Sequence, residues 1–263
     1  MATTHPEPSP HWQHAIDFDP AWIKGHVDAE RRTAGLLSEI REAVFGAQDG
    51  LISILAVVST VAGASNEAYP VLVAGLAAAL AGILSMSVGE YMSSKSQREI
   101  FDAQIAGEAV EVQERPGEAE AEVAYLLQEE GLEREAALRV ARELAAVRPV
   151  LLKTMVEKEL GLAPEDDGSP LRGALVMGAA FAVAALVPLL PYLLLPLATA
   201  VWTAVLLTGL ALFCMGVLKS RWTRRHWLPS GLEILALGAV AGIAGWLFGT
   251  VLPALLGVAG VAP

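Results

Sequence analysis

Side chains able to hold a cation gather in three places along this chain. The first is SMSVGEYMSSKSQ (85–97), where the thioether of Met86 and the carboxylate of Glu90 stand four residues apart. On a helix that spacing stacks both on one face. A carboxylate at the end of an apolar run is costly in a membrane and points to an ion pathway. The plain alternative is that Met86 packs and Glu90 reaches the wet interface.

The second place is GAQDGL (46–51), with Asp49 inside another apolar run. Counted from Arg41 at 1.5 Å per residue, Asp49 lies about 12 Å into the membrane. Met86 approaches from the opposite direction, so two antiparallel helices bring a carboxylate and a thioether to one level. An uncompensated aspartate in hydrocarbon costs ~2.5–3.5 kcal/mol on insertion scales. The alternative is that Asp49 pairs with a nearby arginine or caps a kink.

The third place is an acidic block, 99–167. Glu108 and Glu111 share a helix face, as do Glu118 and Glu122, with Glu120 between them. Met155 and Glu159 repeat the Met-xxx-Glu spacing of Met86 and Glu90. Carboxylates are hard oxygen ligands and a thioether is soft, a mixture suited to Fe²⁺ or its neighbours better than to Ca²⁺ or Mg²⁺. A zinc site would want cysteine or histidine, and neither stands nearby. Glu129, Glu130, Glu133 and Glu135 read as a solvated face. His5, His11, His14 and His26 fit no ligand spacing and belong to a polar tail.

The elements that must position these groups follow from composition. Of 263 residues, 54% are hydrophobic and 18% charged, with a mean hydropathy of +0.49, which indicates an integral membrane protein. The net charge of −11 argues against nucleic acid, whose phosphates need Lys and Arg. The single Cys214 allows neither an intrachain disulfide nor a thiolate metal site. The first forty residues lack a basic start followed by an apolar core, so no secretory signal is expected. A short amphipathic helix is expected over 29–40, then spans over 41–64 and from 71 onward. The second helix meets no breaker before Pro116 and should run about 45 residues, far longer than a ~30 Å hydrocarbon core requires. Helices over 118–130, 132–148 and 149–160 follow, with Val123, Leu126, Leu127, Leu138 and Leu144 as buried stripes. A linker at 163–169 leads to spans at 171–190, 195–218 and 232–251, with Pro188, Pro191 and Pro196 marking one turn and Pro229 to Gly231 preceding the last span.

Five spans put the termini on opposite sides. With a cytosolic N-terminus, every Lys and Arg falls in or at the border of the tail, the acidic block or the 219–227 turn, KSRWTRRHW. That satisfies the positive-inside rule, and Trp222 and Trp227 read as interface anchors. The expected fold is therefore an all-α integral membrane protein of five transmembrane helices with a cytosolic helical domain between the second and third. Its divisions are a cytosolic tail (1–40), spans one and two (41–98), an acidic helical metal-binding domain (99–168) and spans three to five (169–263), with the C-terminus outside.

GAQDGL, SMSVGEYMSSKSQ, and an acidic helical insert before three more spans resemble the vacuolar iron transporter family over 41–263. The resemblance implies a homodimeric, proton-coupled transporter that exports Fe²⁺, and often Mn²⁺, from the cytosol, here across a bacterial cytoplasmic membrane. It implies a path lined by Asp49, Met86 and Glu90. It also implies insert ligands at Glu108, Glu111, Glu122, Met155 and Glu159. The family pattern has glutamates three and six residues after the proline. Here these positions are Ala119 and Glu122, so Glu118 or Glu120 substitutes or one ligand is missing. A family glutamate two turns before the membrane methionine is Ala78 here. The expected partners are divalent metal (Fe²⁺, Mn²⁺, Co²⁺), protons, the bilayer and a second copy, with no cofactor and no enzymatic constellation. The rival reading is a membrane-anchored metal sensor or scaffold that binds without transport.

Overall fold

The computed structural model describes residues 19–161 and 169–255, and every element among them is helical. The order is α1 (Pro20–Ala64), α2 (Ala68–Glu114), α3 (Pro116–Glu129), α4 (Arg134–Ala145), α5 (Arg148–Lys158), α6 (Pro170–Leu194), α7 (Leu197–Thr223) and α8 (Trp227–Leu255). Of these, α1, α2, α6, α7 and α8 are long and apolar enough to cross a membrane.

The first helix is longer than its apolar pattern suggests. Asp19 caps it, its Oδ1 accepting from the Ala21 backbone N–H at 2.9 Å, and Pro20 occupies the first turn. Proline suits that position because its missing donor would be unsatisfied anyway. No breaker follows, so what reads as a separate amphipathic helix over 29–40 is the leading arm of one 45-residue rod. His26 lies on that arm, its imidazole stacked on Trp22 and 3.3 Å from Glu30; His5, His11 and His14 lie outside the described residues. α2 runs unbroken for 47 residues, about 70 Å. More than half of it must therefore stand beyond a ~30 Å core.

The membrane helices differ from expectation at the prolines. Pro188 and Pro191 sit inside α6, and only Pro196 marks the turn, capping α7. Pro229 likewise lies in the first turn of α8. Neighbouring helices make such prolines tolerable in spans. Small residues set the packing. α6 lies against both α1 and α2, while α8 lies against α1 and α7. Gly46 and Gly50 of α1 meet the backbone of α6 at Met177 and Phe181; a Cβ on Gly50 would sit 2.6 Å from the Phe181 carbonyl oxygen. Such close approach is how helices associate where lipid supplies no hydrophobic contrast. Ile54, Val58, Phe181 and Leu189 fill the seam between α1, α2 and α6.

Beyond the spans, α3, α4 and α5 fold back on the distal part of α2. Val112, Ala119, Val123, Leu127, Ala137, Ala141, Leu151 and Met155 form their shared core. Leu138 is exposed and Leu126 only half-buried; on α4 the tight contacts belong to the alanines, which let the short helices approach closely. α3 ends where Gly131 takes φ +106, with Leu132 N–H donating to the Leu127 carbonyl at 3.1 Å. Lys158 then ties α5 to that end through Glu130 at 2.6 Å. The linker at 163–169 falls almost wholly outside the described residues.

Candidate metal site

Three of the expected insert carboxylates converge at the α2–α3 corner. Glu111, Glu118 and Glu122 each offer one oxygen, all within 4.8 Å of one another. The corner forms because α2 ends at Arg115, whose backbone N–H donates to the Glu111 carbonyl at 2.7 Å, and Pro116 then starts α3. Pro116 fixes the new direction, and the i,i+4 spacing of Glu118 and Glu122 returns both to face Glu111. Within this cluster Glu111 Oε1 and Glu122 Oε2 are buried and accept no hydrogen bond. Buried acceptors without donors are uncommon; a proton held between Glu122 and Glu111 would satisfy them, and so would a cation that displaces it.

Electrostatics tie two further residues to this corner. Burial pushes the Glu122 carboxyl up to about 7, helped by Glu111, Glu159 and Glu118. Glu108 is raised as well, by burial first and then by Glu159 and Glu111. Glu108 and Glu159 therefore share the field of the cluster. Like charges that cannot all ionise together are what a cation relieves. Met155 lies one turn before Glu159 and is wholly buried in the core beneath. The structure divides the two candidates for the position vacated at Ala119. Glu118 joins the cluster, whereas Glu120 turns to α4 and meets Arg142 Nε at 3.7 Å. Ala119 itself is fully buried in the core, with no exposure toward the corner.

In the spans, Asp49 Oδ1 accepts from the Ser53 hydroxyl at 2.9 Å, and among the described residues no cation pairs with it. The helix continues through it, so it caps no end of α1. Glu90 Oε1 accepts from Ser94 at 2.6 Å, and Met86 is half-buried against the cluster of Ile54 and Phe181. Both carboxylates thus keep a hydroxyl neighbour and full capacity for a cation.

Two charged residues escaped the sequence reading. Glu42 stands seven residues before Asp49, two turns along the same face, and its carboxylate lies over Gly173 of α6 with only 12% of the side chain exposed. That i,i+7 relation was available from sequence. Arg115 was not singled out either, yet its guanidinium grips two cluster carboxylates: Nη1 to Glu118 Oε2 at 2.7 Å and Nη2 to Glu111 Oε2 at 3.2 Å.

Known proteins resemble the chain along most of its length. The family model described as the VIT family matches residues 40–250. A vacuolar iron transporter 1 from Arabidopsis thaliana is 32% identical over 231 residues, 88% of this chain and 92% of the relative. A vacuolar iron transporter 2 from Oryza sativa subsp. japonica is 33% identical over 84% of this chain and 95% of its own length. A vacuolar iron transporter 1 from Eucalyptus grandis is 33% identical over 81% and 85%.

Proposed function

Because the chain belongs to the VIT family, a family of membrane metal-ion transporters and not of enzymes, we propose that it exports Fe²⁺ from the cytosol in exchange for protons. Mn²⁺ is the second cargo of the same chemistry, its oxygen preference matching the carboxylates. The observation that carries this reading is the carboxylate corner on the helix that also bears Met86 and Glu90. Its buried oxygens lack donors, and its distance from the spans suits collection before translocation. Glu108, Glu111, Glu118, Glu122, Glu159 and the Met155 thioether would collect the ion. Asp49, Met86 and Glu90 would line its passage. Glu120, paired with Arg142, is left out of the ligand set.

The positive-inside pattern supports a cytosolic location for the acidic unit. A homodimer is supported by α2, whose Val73, Leu76, Leu80, Leu84 and Val88 form an exposed stripe in the single chain. Proton exchange follows from the same ligands. A carboxylate must be deprotonated to bind metal, so protons from an acidic far side would displace the ion.

The test is Fe²⁺ uptake into sealed proteoliposomes with acidic or neutral interiors, for the native chain and Asp49→Ala. Uptake that rises with internal acidity and alkalinises the lumen, and that is lost in Asp49→Ala while size-exclusion behaviour stays native, is expected. Metal binding without flux would instead establish the sensor or scaffold. Equal uptake at both internal pH values would leave a uniporter.

A further inference from the structure

We propose that Arg115 is a tethered counter-cation of the carboxylate corner, which an incoming divalent metal must displace, and that it sets the affinity of that corner. The inference rests on the reading of Glu111, Glu118 and Glu122 as metal ligands. Its geometry is independent of that reading. The guanidinium binds one oxygen of Glu118 at 2.7 Å and one of Glu111 at 3.2 Å, so it spans two of the three converging groups. The oxygens it leaves alone, Glu111 Oε1 and Glu122 Oε2, are the buried ones without donors. One guanidinium thus faces three carboxyl groups, and once Glu122 has given up its proton the excess negative charge is left for a divalent ion.

Placement makes exchange feasible. Arg115 is both the last cap of α2 and the first cap of α3, so its backbone is anchored at the corner. Its side chain is 56% exposed, so the guanidinium can swing into water without unpacking anything. Arginine stays charged at any accessible pH. The competition is therefore cation against cation and adds to the competition by protons. A guanidinium that remained close would still repel the metal, so removing it strengthens binding in either case. A purely structural arginine, needed to hold Glu111 and Glu118 in position, gives the opposite sign. Glu118 is also the substitute for the glutamate missing at Ala119. The chain thus pairs its relocated ligand with its own restraint.

The experiment titrates the full-length, detergent-purified protein with Mn²⁺ at pH 7.5 and reads free Mn²⁺ by electron paramagnetic resonance. Arg115→Gln should bind the same number of ions roughly ten-fold more tightly, the scale expected for losing two exposed ion pairs. Arg115→Lys, which can hold only one carboxylate well, should fall between the two. The melting temperature should drop in metal-free Arg115→Gln and return on saturation with Mn²⁺. Equal or weaker binding by a folded Arg115→Gln overturns the proposal. If that variant does not fold, Arg115→Lys decides, and affinity no higher than native overturns it. No Mn²⁺ bound by the native protein would remove the metal site itself, and this inference with it.

Discussion

The position of Glu122 would give metal capture at the proposed site a defined dependence on pH. Its carboxyl is pushed up to about 7, by burial first and then by Glu111, Glu159 and Glu118. In an unfolded chain the same group titrates near 4.3. Between those values the folded protein holds a proton that the unfolded chain has lost. Metal-free stability therefore falls as pH rises through that window and is greatest below it. Metal binding has the reverse sign, since the ligand must give up that proton. Below pH 7, Mn²⁺ affinity should fall ~10-fold per pH unit, with one proton released per ion; above about 7.5 it should level off. Because Glu108 is raised too, the slope steepens where both are protonated. Calorimetry of the full-length protein in buffers of differing ionisation enthalpy would count the protons. Glu122→Gln should weaken binding at pH 7.5 and flatten the profile between pH 7 and 5.5. An affinity constant over that range in the native protein, with no proton release, would refute the reasoning.

Three further outcomes follow from the geometry. Glu118→Gln should lower Mn²⁺ affinity in full-length protein, whereas Glu120→Gln should leave it within about two-fold, since an exposed pair such as Glu120–Arg142 contributes little; the same resonance titration reads both. Met155→Leu should keep the fold, costing less than ~1.5 kcal/mol as a volume-conserving core exchange, while reducing the preference for Fe²⁺ over Mg²⁺ in competition binding. Gly50→Val should lower the melting temperature and the yield of folded protein, because its Cβ would strike the Phe181 carbonyl; native melting would remove the α1–α6 contact from the account.

Membrane character, span number and helical type were legible because apolar length and periodicity fix them locally. Boundaries at proline were not. Pro188 and Pro191 look like breakers in sequence, but α6 runs through both, packed against α1, α2 and α7. The arm of α1 was legible only in part: 29–40 reads as a short amphipathic helix, but its earlier start at the Asp19–Pro20 cap and its continuity with the span do not show in the apolar pattern. At the corner, spacing put Glu108 with Glu111 and Glu118 with Glu122 on shared faces, while the family resemblance left Glu118 and Glu120 both open as the substitute for Ala119. Positions two residues apart, such as 118 and 120, differ by about 200° on a helix, and the direction of the core decides which faces Glu111. Buried Ala119 and Val123 supply that direction, and it is a tertiary fact. Arg115 was legible only as a charge before a proline, because its significance lies in two partners on two different helices.

α2 also constrains how the two sites can communicate. Glu90 and Glu108 are 18 residues apart, which is five full turns, so they point the same way about 27 Å apart. The positions that share this face between them are Ser94, Gln97, Phe101 and Gln104, none of them charged. Lys95 and Arg98 fall on other faces of the helix, and Lys95 pairs with Glu99 at 3.7 Å. An ion leaving the corner would therefore meet no fixed cation along that line, and no strong ligand to trap it. The helix is unbroken between them, so the two carboxylates stand apart in this structure. On the proposed function, passage over this gap of about 27 Å would run through water, guided by the negative potential at both ends. On the same proposal, the corner would raise the local metal concentration when metal is scarce. Removing the corner should then slow uptake only at low metal, whereas Asp49→Ala should abolish it at every concentration. Uptake that persists in Asp49→Ala at high metal would refute that division of roles.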